Sequence, residues 1–143
     1  MVAGPLKAAI PDAEVFVALE PEELGSKLLF ILRDHCGDKF TIRSLLEALD
    51  GMNNAPPYPA QYKHEIRASI FEAWAWLEAQ GHLVWPDETN GPNGYRRLSR
   101  RAQRFADAAE LADFSASVRL PKTMLHPAIA DRVWLNFIRA EYD

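Results

Sequence analysis

Residues 62–80, YKHEIRASIFEAWAWLEAQ, constrain the fold of this chain more than any other stretch. Ile66, Ile70, Ala73, Trp74 and Leu77 recur at helical spacing, and Phe71 and Trp76 widen the apolar arc on either flank. A helix this apolar is expected to be covered on most of its girth. Pro59 or Tyr62 opens it and Gly81 stops it. Its first turns differ in character: Gln61, Tyr62, Lys63, His64 and Arg67 are polar or basic, with Glu65 the one acid.

The covering elements lie on both sides in the sequence. Pro21 followed by Glu22 and Glu23 reads as a helix start, with proline at the first position and acids set against the dipole. Leu24, Leu28, Ile31 and Leu32 then share one face, while Phe30 lies opposite and needs a cover from Val15-Phe16-Val17 or a partner chain. Thr41 is placed to cap a second helix, with Ile42, Leu45, Leu46 and Leu49 at i, i+3, i+4 and i+7. A loop with three prolines, MNNAPPYPA, separates it from the long helix. After Gly81, residues 82–85 and 95–98 read as strands joined by the turn-rich tip PDETNGPNG. Ser99 caps a last helix with Ala102, Phe105, Ala106, Ala109 and Ala112 on one stripe. Trp74 and Trp85 are expected in the core, and Trp76 at its edge. The chain is therefore mainly α with a small β-hairpin.

Charge is distributed unevenly. The formal net charge is −4, yet Tyr95–Arg104, YRRLSRRAQR, holds five arginines and no acid. Residues 1–50 carry nine acids against five bases, residues 51–104 five against seven, and residues 105–143 six against four. A basic middle between acidic ends points to a polarised surface. At 48% hydrophobic and 25% charged, the 143 residues have the composition of a globular chain of about one domain. No apolar run is long enough for a membrane span, and the Pro-broken N-terminus makes a poor signal peptide. The single cysteine, Cys36, excludes an internal disulfide and suits a reducing, cytoplasmic setting.

Three helices running directly into a hairpin resemble a winged helix-turn-helix domain over about residues 20–113. The passage AWAWLEAQGHLVWPDETNGPNGYRRLSRRAQR carries the resemblance: Leu-Glu-x-x-Gly ends the third helix, and the second strand runs into Ser-Arg-Arg. The loop between the second and third helices is longer than the usual three or four residues. The tail, MLHPAIADRVWLNFIRAEYD, resembles the start of the C-terminal domain of the Ymh-type bacterial family, grouped with abortive-infection and HEPN-like proteins. Leu125, His126, Pro127, Ile129, Trp134 and Phe137 are its matching positions. That domain continues into further helices, so the sequence reads as an N-terminal piece or a shortened relative. The expected organisation is residues 1–18 packing on the first helix, a winged helix over 19–113, and a linker with a truncated helical start over 114–143.

The winged-helix resemblance implies a nucleic-acid interface, in which the start of the third helix approaches bases and the hairpin reaches phosphates. By position, Lys63, His64 and Arg67 take the first role. Arg96, Arg97, Arg100, Arg101 and Arg104 take the second, with the helix start after Ser99 adding free N–H groups. Duplex DNA is the expected partner, in a bacterial regulatory or phage-defence protein. The alternative is a winged-helix interaction module dimerising through Phe30 or Trp76 without nucleic acid. No catalytic residue, metal or cofactor is expected. His35-Cys36 has no second ligand pair, no serine stands in a nucleophile elbow, and no phosphate-binding glycine motif occurs. Arg119 and His126 approach the spacing of HEPN ribonucleases, but Pro121 lies between them in an expected linker, so catalysis is not assigned.

Overall fold

The protein is described by a computed structural model covering residues 2–51 and 55–123, the last five as backbone only. The chain divides into two compact units, Met1–Phe105 and Ala106–Asp143. The matching positions of the Ymh-type resemblance, Leu125 to Phe137, lie outside the described residues, as does His126.

The first unit is built on two packed helices, α3 (Pro21–His35) and α5 (Lys63–Ala79). Helix α3 starts with proline and a capping box: the Glu20 backbone N–H donates to Glu23 Oε1 at 3.1 Å. Leu24, Leu28, Leu29, Ile31 and Leu32 are buried on α3, and Ile66, Ile70, Ala73, Trp74 and Leu77 on α5, as the helical spacing requires. Helix α4 (Arg43–Glu47) is short and contributes Leu45 and Leu46. No side chain caps α4, so Thr41 does not play the capping role expected of it. A single turn of 3-10 helix, Ala60–Tyr62, leads into α5.

Residues before α3 form two short helices, α1 (Ala3–Ala9) and α2 (Ala13–Ala18). Helix α1 packs on α3 and α2 packs on α5, so this segment covers both central helices. Leu6, Ile10 and Phe16 are fully buried. Asp12 caps α2 by accepting from the Glu14 N–H at 2.9 Å. The Tyr58 hydroxyl donates to the Ile10 carbonyl at 2.6 Å, and the Phe16 ring meets Tyr58 edge-on at 5.3 Å.

Strands β1 (Leu83–Val84) and β2 (Arg97–Leu98) pair antiparallel, with Leu83 opposite Leu98 and Val84 opposite Arg97. Leu83 and Leu98 are buried. A third backbone partner joins them: Phe40, between α3 and α4, forms an antiparallel bridge with Arg96, through N–H···O bonds of 2.8 and 3.0 Å.

Three further expectations are corrected. Trp85 is not a core residue: it is 53% exposed. The strand ends at Val84, so Trp85 stands beyond the ladder at the base of the tip. The helix expected from Ser99 onward is broken into α6 (Arg100–Arg104) and α7 (Ala108–Thr123). Phe105 adopts an extended backbone, and Asp107 accepts the Glu110 N–H at 2.9 Å, starting a new helix. The stretch read as linker from residue 114 is helical as far as Thr123, through Pro121.

Candidate nucleic-acid interface

The start of α5 is polar because it leaves the core. Lys63 and His64 are exposed, and Arg67 is half-buried one turn later. Lys63 is not a free cation: its Nζ lies 2.5 Å from Asp50 Oδ1. The Lys63 ammonium bonded to it holds the Asp50 carboxyl below its ordinary value, and the Arg67 charge adds to the effect. Tyr62 donates to Glu14 Oε1 at 3.2 Å. Asp50, in the turn after α4, therefore answers one base of this segment, and Glu14 of α2 holds its tyrosine.

The five arginines of the hairpin and α6 fall into different environments. Arg96 is drawn inward, with its side chain 17% exposed. Its Nε lies 3.3 Å from Glu78 Oε1 at the end of α5, and its Nη1 donates to the Gly91 and Tyr95 carbonyls at 2.9 and 2.7 Å. That is a brace, made from a charge the sequence reading assigned to phosphate contact. Arg97 is half-buried, with Nε 3.4 Å from the Leu98 carbonyl. Arg100, Arg101 and Arg104 are exposed on α6. Arg100 and Arg104 stand one turn apart and share a face. Among the described residues no carboxylate forms an ion pair with Arg97, Arg100 or Arg104. Arg101 lies close enough to His82 for its positive charge, after burial, to help push the imidazole below its ordinary value.

Ser99 caps α6 by accepting the Ala102 N–H at 3.1 Å. The helix is only five residues long, however, so its dipole is small. The guanidinium charges, and not the helix terminus, are what an anion would meet.

Arg97 also lines a depression of about 530 Å³ together with Arg33, Lys39 and Gln103, over Phe40 and Leu98. Among the described residues Asp38 is the one acid in its lining. Arg33 is partly committed, since its guanidinium bonds the Phe105 carbonyl and pairs with Asp34 at 3.1 Å. Sequence reading passed over Arg33 and Lys39, because the Phe40 bridge that brings them beside the hairpin leaves no period in the sequence.

The residues expected to mark a dimer face are engaged within the fold. Phe30 is half-buried, with the Arg33 guanidinium 4.7 Å from its ring centroid. Trp76 is half-buried against α3 and has the His82 ring at 5.7 Å. Among the described residues the exposed large apolar side chains are Val15, Phe71, Val84, Trp85, Tyr95 and Val118. Among the described residues no three His, Cys, Asp or Glu side chains gather at metal-ligand distance, and no helix is long and apolar enough to cross a membrane.

Comparison with known proteins brings no relative to this arrangement: no family model, curated protein or solved structure matches the chain.

Proposed function

We propose that this chain is a winged helix-turn-helix module that binds nucleic acid, duplex DNA in the first instance, through Arg97, Arg100, Arg101 and Arg104. The element order supports the fold: α3, an extended partner at Phe40, α4, α5, then the β1–β2 hairpin. The observation that carries the function is the absence of ion-pairing carboxylates at Arg97, Arg100 and Arg104 among the described residues of a net-negative chain. Uncompensated guanidinium groups within eight residues favour a phosphate backbone. Lys63, His64 and Arg67 approach bases in this reading, with Lys63 exchanging Asp50 for the ligand. Arg96 holds the hairpin in place. The tail's Ymh-type resemblance is what connects the module to a larger bacterial regulatory or phage-defence protein.

Salt dependence tests this reading. Each neutralised phosphate contributes about −0.9 to the slope of log K against log salt. With the four arginines engaged, duplex affinity falls steeply between about 50 and 200 mM salt, at a slope of roughly −3 to −4. Arg100→Glu with Arg104→Glu abolishes binding and leaves the thermal midpoint in place. No binding at low salt sinks the proposal.

One observation favours a second reading, an interaction module without nucleic acid. Phe71 is 49% exposed in the middle of α5, between exposed Ala68 and Ala75. In that case self-association or partner binding is insensitive to salt and is lost in Phe71→Glu.

A further inference from the structure

The hairpin displays aromatic side chains in a way that the arginine cluster alone does not explain. Trp85 is 53% exposed, Tyr95 36% and Val84 37%, all on one hairpin. Trp and Tyr pair a large apolar ring with a polar handle, which suits them to contact surfaces.

Trp85 is held in place. Gly91 of the tip is buried under the indole, so close that a Cβ on Gly91 would come within 2.2 Å of Trp85 Cδ2. The tip that carries Gly91 is itself stiff. The Asp87 carboxylate accepts the Thr89 and Asn90 backbone N–H groups at 2.9 and 2.6 Å, and the Asn90 amide at 2.9 Å. Arg96 bonds the Gly91 carbonyl from the other side, and Gly94 turns the chain with φ +93°. One face of the indole is thus seated on the loop while about half of its surface stays in water. The side chain is pre-organised, so binding something flat on it requires little further ordering.

The surroundings say what kind of flat ligand fits. Val84, the residue before Trp85, pairs with Arg97, and Arg100 follows two residues after β2. Lys39 lies 5.7 Å from the Tyr95 ring centroid. The exposed Asp87 carboxylate is engaged by the Thr89 and Asn90 N–H groups of its own loop and lies near Lys39, and Glu88 beside it is exposed as well. A fixed indole on a hairpin that carries arginines, one of them bonded to the carbonyl of the Gly91 on which the ring rests, matches the pairing of base stacking with backbone neutralisation used to hold unpaired nucleotides.

We propose that Trp85 is a stacking platform for an unpaired base, so that the preferred nucleic acid has a single-stranded extension next to its duplex. This rests on the nucleic-acid reading above and specifies which form of nucleic acid the hairpin meets.

The test compares one duplex in two forms, blunt and with a short single-stranded overhang, at fixed low salt. Wild-type protein is expected to bind the overhang form about tenfold more tightly, the scale of one base stacked on an aromatic ring. Trp85→Ala brings the overhang form down to the blunt value and leaves blunt binding unchanged. Trp85→Phe keeps most of the preference and, by keeping a ring over Gly91, a thermal midpoint near wild type, so a lost preference in Trp85→Ala alone is read against this variant. If both forms bind but the ratio is one, or survives Trp85→Ala, the stacking role is wrong and the arginine reading stands. If neither form binds, both fall together. Retention of a protein partner that depends on Trp85, with no overhang preference, also overturns it.

Discussion

Trp76 lies over Gly25 where α5 crosses α3: a Cβ at residue 25 would come within 2.6 Å of Trp76 Cε3 and 3.5 Å of the Ala73 carbonyl. The two central helices approach this closely because one of them offers bare backbone to a ring. Gly25→Ala must push the ring or separate the helices. Overpacking of this kind costs about 1–3 kcal/mol, less whatever alanine gains in helix propensity. The expected result is a lower thermal midpoint, partly recovered when Trp76→Leu is added. An unchanged midpoint in Gly25→Ala would mean that the ring moves aside freely.

Tyr58 ties the first helices to the loop before α5. Tyr58→Phe removes the donor to the Ile10 carbonyl and should cost about 1 kcal/mol, measured by denaturant unfolding. Burial raises the Tyr58 phenol to about 12 from its ordinary 10.0. The unfolded chain therefore gives up this proton first as pH rises, and the protein loses stability from about pH 10 upward through about 12. The alkaline loss should be shallower in Tyr58→Phe.

His82 predicts the opposite limb. Its ring is 1% exposed, with Phe105 edge-on at 5.8 Å and Trp76 at 5.7 Å. Burial first, and then the Arg101 charge, push the imidazole below its ordinary 6.5. Below that pH the unfolded chain takes up a proton that the folded one resists, so stability falls with acid. It is fully present above about 6.5. A thermal midpoint that drops between about pH 7 and pH 5, with a smaller drop in His82→Phe, is the expected outcome.

Asp50 holds Lys63 in an ion pair, and in the proposed nucleic-acid reading a polyanion would have to displace it. Asp50→Asn removes the competitor and should strengthen duplex binding. It should also steepen the salt slope by about one unit if Lys63 then reaches a phosphate. Lys63→Ala in the same background should return the slope to its wild-type value. A slope unmoved by either change would take the start of α5 out of the interface.

The central helices were legible because their apolar residues repeat over four turns, and Leu98 and Leu83 because a strand alternates. Shorter features escaped. The Phe40–Arg96 bridge is one residue deep, so no period announces it. Arg96 and Glu78 pair across 18 positions, a choice made by tertiary proximity that spacing does not encode. Trp85 looked like core on hydrophobicity, but the strand stops one residue too early to bury it. The break between α6 and α7 did have a signal, the pattern Asp107-x-x-Glu110, which reads as a helix start. Uniform alanine spacing hid it. For the candidate site, the arginines were visible as a cluster. Which of them face water was not, because that depends on where Glu78 and the tip carbonyls lie.

The Arg96 brace also has a mechanical side. One guanidinium fastens the tip carbonyl of Gly91 to Glu78 near the end of α5, while its own backbone is stitched to Phe40 between α3 and α4. A tug on the loop is therefore felt at the end of the long helix and at the junction of the two before it. Whatever grips the hairpin pulls on all three at once.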